Sequence, residues 1–152
     1  MVVGEDETAE AMVVLMERCK LVVEGAGAVG VAALLGGQVP AAPAGTTVAV
    51  LSGGNVDPGL LASIARRHET GAGRRLVLLT RVPDRPGNLA RLLDCVAEQG
   101  ANIVEVTHVR EGLDLHVRET AVELVIETRG HDHAQAVVGA LQDTGYATRV
   151  LH

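Results

Sequence analysis

Several stretches of this sequence carry residue types that could do chemistry. Ser52-Gly53-Gly54-Asn55-Val56-Asp57 places a hydroxyl ahead of a glycine turn and a carboxylate. By type alone that suits either a ligand-facing turn or a turn residue capping a strand end. A nucleotide site there has little support, because one strand–turn–helix lacks the rest of a βαβ fold. Asp84-Arg85-Pro86-Gly87-Asn88-Leu89 sits where an apolar run gives way to helical spacing. Amides at a helix N-terminus attract a carboxylate, a nearby carboxylate such as Asp84 can meet an ammonium group, and Gly87 leaves room for close backbone approach. The same residues also make a sound N-terminal turn, with Pro86 at the first helical position and Asp84 or Asn88 as local hydrogen-bond partners.

The remaining reactive residue types point to structure. His131 and His133 flank Asp132 before a helix, and this two-residue spacing at an exposed cap favours capping and solvation over a metal site. No metal is assigned. Cys19 and Cys95 fall on or near the apolar faces of separate helical patterns and are expected as buried free thiols. Lys20, the only lysine, reads as a solvent-facing charge in an amphipathic helix. His108 and Arg110 share a strand face as polar edge or interface residues.

The composition suits a globular chain. Of 152 residues, 47% are hydrophobic and 21% charged, enough for one ordinary domain or two small ones. A net charge of −6 without a basic stripe, and one Tyr with no Trp or Phe, argue against nucleic-acid binding. The core must be built from Val, Leu, Ile and Ala, with Met12 and Met16 filling gaps. The N-terminus lacks the basic flank and apolar stretch of a signal peptide, and apolar runs such as 26–35 are interrupted by glycine and fall short of the ~20 residues needed to span a membrane. A cytoplasmic protein without a membrane partner is expected.

These residues must be positioned by the following elements. Met12, Leu15, Met16, Cys19 and Val22 or Val23 give helical spacing over 5–23, with Asp6, Glu7 and Glu10 at the positive end of the dipole. A second helix, 28–35, is apolar nearly all round and ends at Gly36-Gly37. The β-branched run 46–51 predicts a strand, followed by the glycine turn and by a helix from Asp57-Pro58 to about His68. Gly71, Gly73 and the Arg74-Arg75 pair give residues 71–75 the composition of a linker. Beyond it come a strand at 76–82, a helix ending at Gly100, strands at 103–109 and 121–128, a helix carrying Ala134, Val137, Val138 and Leu141, and a strand at 146–151. The order βαββαβ predicts an α+β, ferredoxin-like unit: a four-stranded antiparallel sheet with both helices on one face. A unit of this size leaves edges or a sheet face for a partner, which predicts a homodimer.

The βαββαβ unit with its Asp84-Arg85-Pro86-Gly87-Asn88-Leu89 turn, and Gly100-Ala101-Asn102-Ile103 opening the second strand, resembles an ACT domain. The resemblance implies an amino-acid effector site at the turn and the facing start of the second strand, often at a domain–domain interface. It carries over to Asp84, Gly87, Asn88, Asn102 and Ile103. The candidate effectors are isoleucine, valine, threonine, serine or none. Glu7-Thr8-Ala9-Glu10-Ala11-Met12, Glu24-Gly25-Ala26-Gly27-Ala28, Val31-Ala32-Ala33-Leu34 and the Ser52–Asp57 turn, in that order, resemble the end of the catalytic domain of pyridoxal-phosphate-dependent threonine and serine dehydratases. A catalytic end followed directly by an ACT-like domain is the layout of the catabolic-type threonine dehydratases. Residues 1–70 are then the truncated end of the catalytic domain, 71–75 a linker and 76–152 the ACT-like domain.

That resemblance implies that Ser52 hydrogen-bonds the pyridine nitrogen of pyridoxal phosphate, with Gly53, Gly54 and Glu24 lining the cofactor; Glu24 reads equally as a solvated charge at a helix junction. The family's lysine, which forms the Schiff base, and its tetraglycine phosphate loop have no counterpart in this sequence. The chain alone is therefore expected to bind no cofactor and to catalyse no elimination of threonine to 2-oxobutanoate and ammonia. Its surviving role is regulatory, in the supply of carbon for isoleucine. The alternative is a stand-alone ACT-type binding or dimerisation module with a helical extension.

Overall fold

The computed structural model describes residues 1–40, 42–111 and 115–151. They form two compact units, 1–68 and 69–152.

In the first unit, helix α1 (Glu5–Val14) opens with the Glu7 carboxylate accepting the Gly4 N–H, and three acidic residues stand in its first turn, where the helix dipole favours them. The single helix expected over 5–23 does not form. The coil widens into a π-turn, Leu15–Cys19, and stops at Lys20 in a left-handed conformation (φ 60°, ψ 32°), with the Lys20 ammonium donating to the Glu17 carbonyl at 2.8 Å. Widening the coil shifts the phase of the apolar stripe. Cys19, expected to be buried, is therefore exposed. Helix α2 (Gly25–Leu35) is rich in alanine and glycine and packs closely on α1. Ala11, Met12, Leu15, Val23, Ala28 and Ala32 form the resulting core, with Leu51, Val56, Leu61 and Ile64 against it. Helix α3 (Pro58–Gly71) starts as its sequence dictates. Asp57 Oδ1 accepts the Leu60 N–H at 2.9 Å, and Pro58 takes the first helical position.

The strand predicted at 46–51 is absent. The segment carries no regular structure, and Val48 and Val50 are 79% and 81% exposed. A β-branched run favours a pleated surface, but a strand needs a ladder partner, and the described residues give it none.

The second unit follows the predicted order. Its elements are β1 (Arg75–Pro83), α4 (Asn88–Glu98), β2 (Asn102–Val109), β3 (Glu119–Glu127), α5 (His131–Asp143) and β4 (Ala147–Leu151). They form one antiparallel sheet in the order β2-β3-β1-β4. Alternate residues Leu76, Leu78 and Val82 of β1 and Val122, Leu124 and Ile126 of β3 meet Leu92 and Val96 of α4 and Val137 and Leu141 of α5. Both helices thus cover one face. Thr80, on that face and fully buried, is satisfied by the Thr148 hydroxyl at 3.0 Å. Strand β3 is buried on both sides along most of its length. Strand β2 lies at an edge, with a bulge between Ile103 and Glu105 and with Val104 and Val106 55% and 37% exposed.

Candidate functional site

Two groups of residues carry the chemistry anticipated above. In the first unit the turn 52–54 lies against the start of α2. The Glu24 N–H donates to the Gly53 carbonyl at 3.2 Å. A side chain at Gly27 would overlap the Ser52 carbonyl, and one at Gly53, where φ is 76°, would overlap the Glu24 carboxylate. Ser52, Gly53, Gly54 and Glu24 are therefore together, with the first three exposed. Lys20 is not part of this group; its ammonium is held by its own helix end.

In the second unit the turn after β1 is built from its ends inward. The Asp84 N–H donates to the Arg118 carbonyl at 2.8 Å, extending the β1–β3 ladder by one bond. Gly87, with φ at 88°, makes the tight entry into α4 and provides no side-chain cap. Asn88 Nδ2 donates to the Pro83 carbonyl at 3.2 Å. The Asp84 carboxylate receives two bonds from the Arg110 guanidinium, Nη1 to Oδ2 at 2.6 Å and Nη2 to Oδ1 at 3.3 Å. Arg110 holds the Asp84 carboxyl below its ordinary range, chiefly through that hydrogen bond, and Asp84 in turn raises Arg110. Arg110 is expected from the sequence at a strand edge, and nothing in the residue pattern pairs it with Asp84. The signal that finds it is topological: β1 and β2 both run antiparallel to β3, so their ends share one end of the sheet.

The same rule separates Asn102 and Ile103 from the turn. Asn102 opposes Glu127, as Arg75 does at the start of β1. Asp84 stands nine residues further along that strand direction, about 30 Å away at ~3.3 Å per residue. Asn102 Nδ2 donates to Glu127 Oε2 at 2.9 Å, and Ile103 packs on the core. Within one chain, Asp84, Gly87 and Asn88 are together; Asn102 and Ile103 are not with them.

His133 is engaged through both ring nitrogens: Nδ1 accepts the Arg129 N–H at 3.0 Å and Nε2 lies 2.8 Å from the Gln99 carbonyl. That ring ties the start of α5 to the end of α4, a structural role. A groove of about 370 Å³ beside α5, lined mainly by Leu76, Ala134, Val138 and Val150 with Arg75, His131 and Gln135, touches none of the residues expected to bind cofactor or effector.

The second unit is thus a ferredoxin-like α+β domain with an acidic, uncapped turn at one end of its sheet. No family model matches the sequence. An L-threonine ammonia-lyase of Geobacter sulfurreducens is 47% identical over 149 residues, covering 98% of this chain and 37% of the relative. One from Thermotoga maritima is 39% identical over 150 residues with the same coverages. The prephenate dehydratase structure from Streptococcus mutans is similar over 51% of this chain and 41% of its own, with a TM-score of 0.44 and 18% identity. Along nearly its whole length the chain is homologous to the C-terminal part of the L-threonine ammonia-lyases, and it spans 37% of the length of those curated relatives. Among the described residues no helix is long and apolar enough to cross a membrane.

Proposed function

We propose that this chain is the C-terminal regulatory portion of a cytoplasmic, pyridoxal-phosphate-dependent threonine dehydratase, with residues 76–152 binding an amino-acid effector as an ACT-like domain. The observation that carries the reading is the near end-to-end match to threonine ammonia-lyases at 47% identity. Residues 1–70 are the end of the catalytic domain. In that reading Ser52 holds the pyridine nitrogen and Gly53, Gly54 and Glu24 line the ring, a wall that the close packing of Gly27 and Gly53 fits. When bound, the cofactor supplies the electron sink for losing water and ammonia from threonine. This chain's residues contribute only that wall, because its one lysine is Lys20.

The effector site takes Asp84, Gly87 and Asn88 from one copy. Asn102 and Ile103 join it from a second copy: β2 is an exposed edge without lysine or proline, and two such edges paired antiparallel set the start of one beside the end of the other. Titration calorimetry of the full chain with isoleucine, valine, threonine and serine tests the reading, with saturable binding of one of them expected. With pyridoxal phosphate added, ammonia release from threonine should remain at background. No binding across the panel would overturn the effector role, and turnover would overturn the assignment as a non-catalytic portion.

A further inference from the structure

The Asp84 and Arg110 side chains are each other's partners across the end of the sheet, and both are open to solvent, at 41% and 59%. Their backbones are fixed independently: Asp84 by its bond to the Arg118 carbonyl, and Arg110 by following Val109, which is paired with Ala121 at the end of β2. The strand ladders thus fix the two backbones and leave the separation of the charged ends to the side chains. Beside them the first turn of α4 has no side-chain cap; its Asn88 N–H donates to the Arg85 carbonyl at 3.3 Å, which leaves the Leu89 and Ala90 amides for an acceptor.

We propose that Arg110 is the carboxylate-binding residue of the effector site and that the Asp84–Arg110 pair selects ligands carrying both an ammonium and a carboxylate on one carbon. This deepens the effector reading above and rests on it. A free α-amino acid entering between the two side chains exchanges one ion pair for two. Its ammonium meets Asp84, and its carboxylate meets the Arg110 fork together with the Leu89 and Ala90 amides of α4, so no charge is left without a partner. A 2-oxo acid would occupy Arg110 and strand the Asp84 carboxylate. An amine would do the reverse. The existing pair therefore opposes any ligand that satisfies only one side, because such a ligand gives up the attraction within the pair and replaces it on one side alone. The planar two-point geometry suits a carboxylate better than a lysine would in that position.

The test is calorimetry on the full chain with L-isoleucine, L-valine, L-threonine and L-serine, and then with the 2-oxo acid and the amine that share the side chain of whichever amino acid binds. The parent chain should bind the amino acid at least ten-fold more tightly than either counterpart. Arg110→Gln should weaken amino-acid binding by roughly ten- to hundred-fold, the range for losing a charge-assisted contact. Arg110→Lys should fall between, and Arg149→Gln, which removes the same charge from β4, should bind as the parent does. Arg110→Gln binding as well as or better than the parent would overturn the proposal and make Arg110 a bystander or a competitor, leaving the effector role intact. A 2-oxo acid that binds as tightly as the amino acid would also overturn it. Failure of every amino acid to bind the parent chain would remove the effector role itself, and this proposal with it.

Discussion

Asp84 has a chemical state that can be read without any ligand. Its carboxyl is held below the ordinary range first by the hydrogen bond from Arg110, with burial pushing the other way and the charges of Arg110 and His108 adding to the lowering. A depressed carboxylate contributes its interaction above the unfolded pKa of ~3.9 and loses it as pH falls through the lower folded value. The pair should therefore persist from neutral pH down past 4 and open only in stronger acid. A carbon-detected NMR titration of the Asp84 carboxyl should give a midpoint below ~3.9 that rises in Arg110→Gln; a midpoint that ignores the substitution would mean that the pair is not formed in solution. Much of this site was legible in the residue types. The acidic turn, Pro86 and Gly87 announced a helix entry, and that entry is present, but the helix opens at Asn88 behind a left-handed Gly87, two residues past the Pro86 expected at its first position. What residue types do not carry is partnership across strands. Asp84 and Arg110 are 26 positions apart, and only the direction of β2 relative to β1 joins them. The histidines followed the same logic. Spacing argued for a capping role at 131–133, whereas the contact from His133 to the Gln99 carbonyl depends on how α4 and α5 meet.

Among the elements, periodicity was sufficient wherever an element's partner lies nearby in the same unit. All six elements of the βαββαβ unit appear in the predicted order, because alternation in the strands and helical spacing in 88–98 and 131–143 each specify one buried face. The failures are those where an element's fate depends on something other than its own pattern. The run 46–51 has strand composition but no ladder partner among the described residues, and the first helix changes pitch at Leu15, which no propensity scale encodes. Strand β3 is the mechanical centre of the sheet: it pairs with β1 along its length and with β2 on its other side. Leu124, fully buried, should be its most sensitive position. Leu124→Ala should cost about 2–5 kcal/mol, as deletion of a well-packed leucine does. Urea unfolding followed by loss of β-sheet amide protection measures it, and a cost below ~1 kcal/mol would mean that the core between sheet and helices is looser than its packing implies. In the parent, amides of β1 and β3 should exchange more slowly than those of the edge strands β2 and β4.

For the whole molecule, the two units differ in what they complete. The second has a closed apolar core with helices over one sheet face. The first has a small core and leaves Val48, Val50 and Leu60 well exposed. The homology along the chain was readable from short motifs in order, and the resemblance already grouped Glu24 with the 52–54 turn; the close approach of Gly27 to Ser52 came only with the fold.

The placement of Asn102 at the opposite end of the sheet from Asp84 has a thermodynamic consequence. If one ligand must touch residues from two copies, the ligand and the second copy are each other's allosteric effectors, and the coupling is reciprocal. Amino acid added to a dilute chain should drive monomers into pairs, and diluting the chain should weaken its apparent hold on the amino acid. Light scattering across a protein dilution series, with and without the bound amino acid, should show the midpoint of association moving to lower protein concentration when the amino acid is present. An unmoved midpoint would mean that each copy binds alone. A chain of this design would report two quantities through one equilibrium: how much effector is present, and how much of the protein itself.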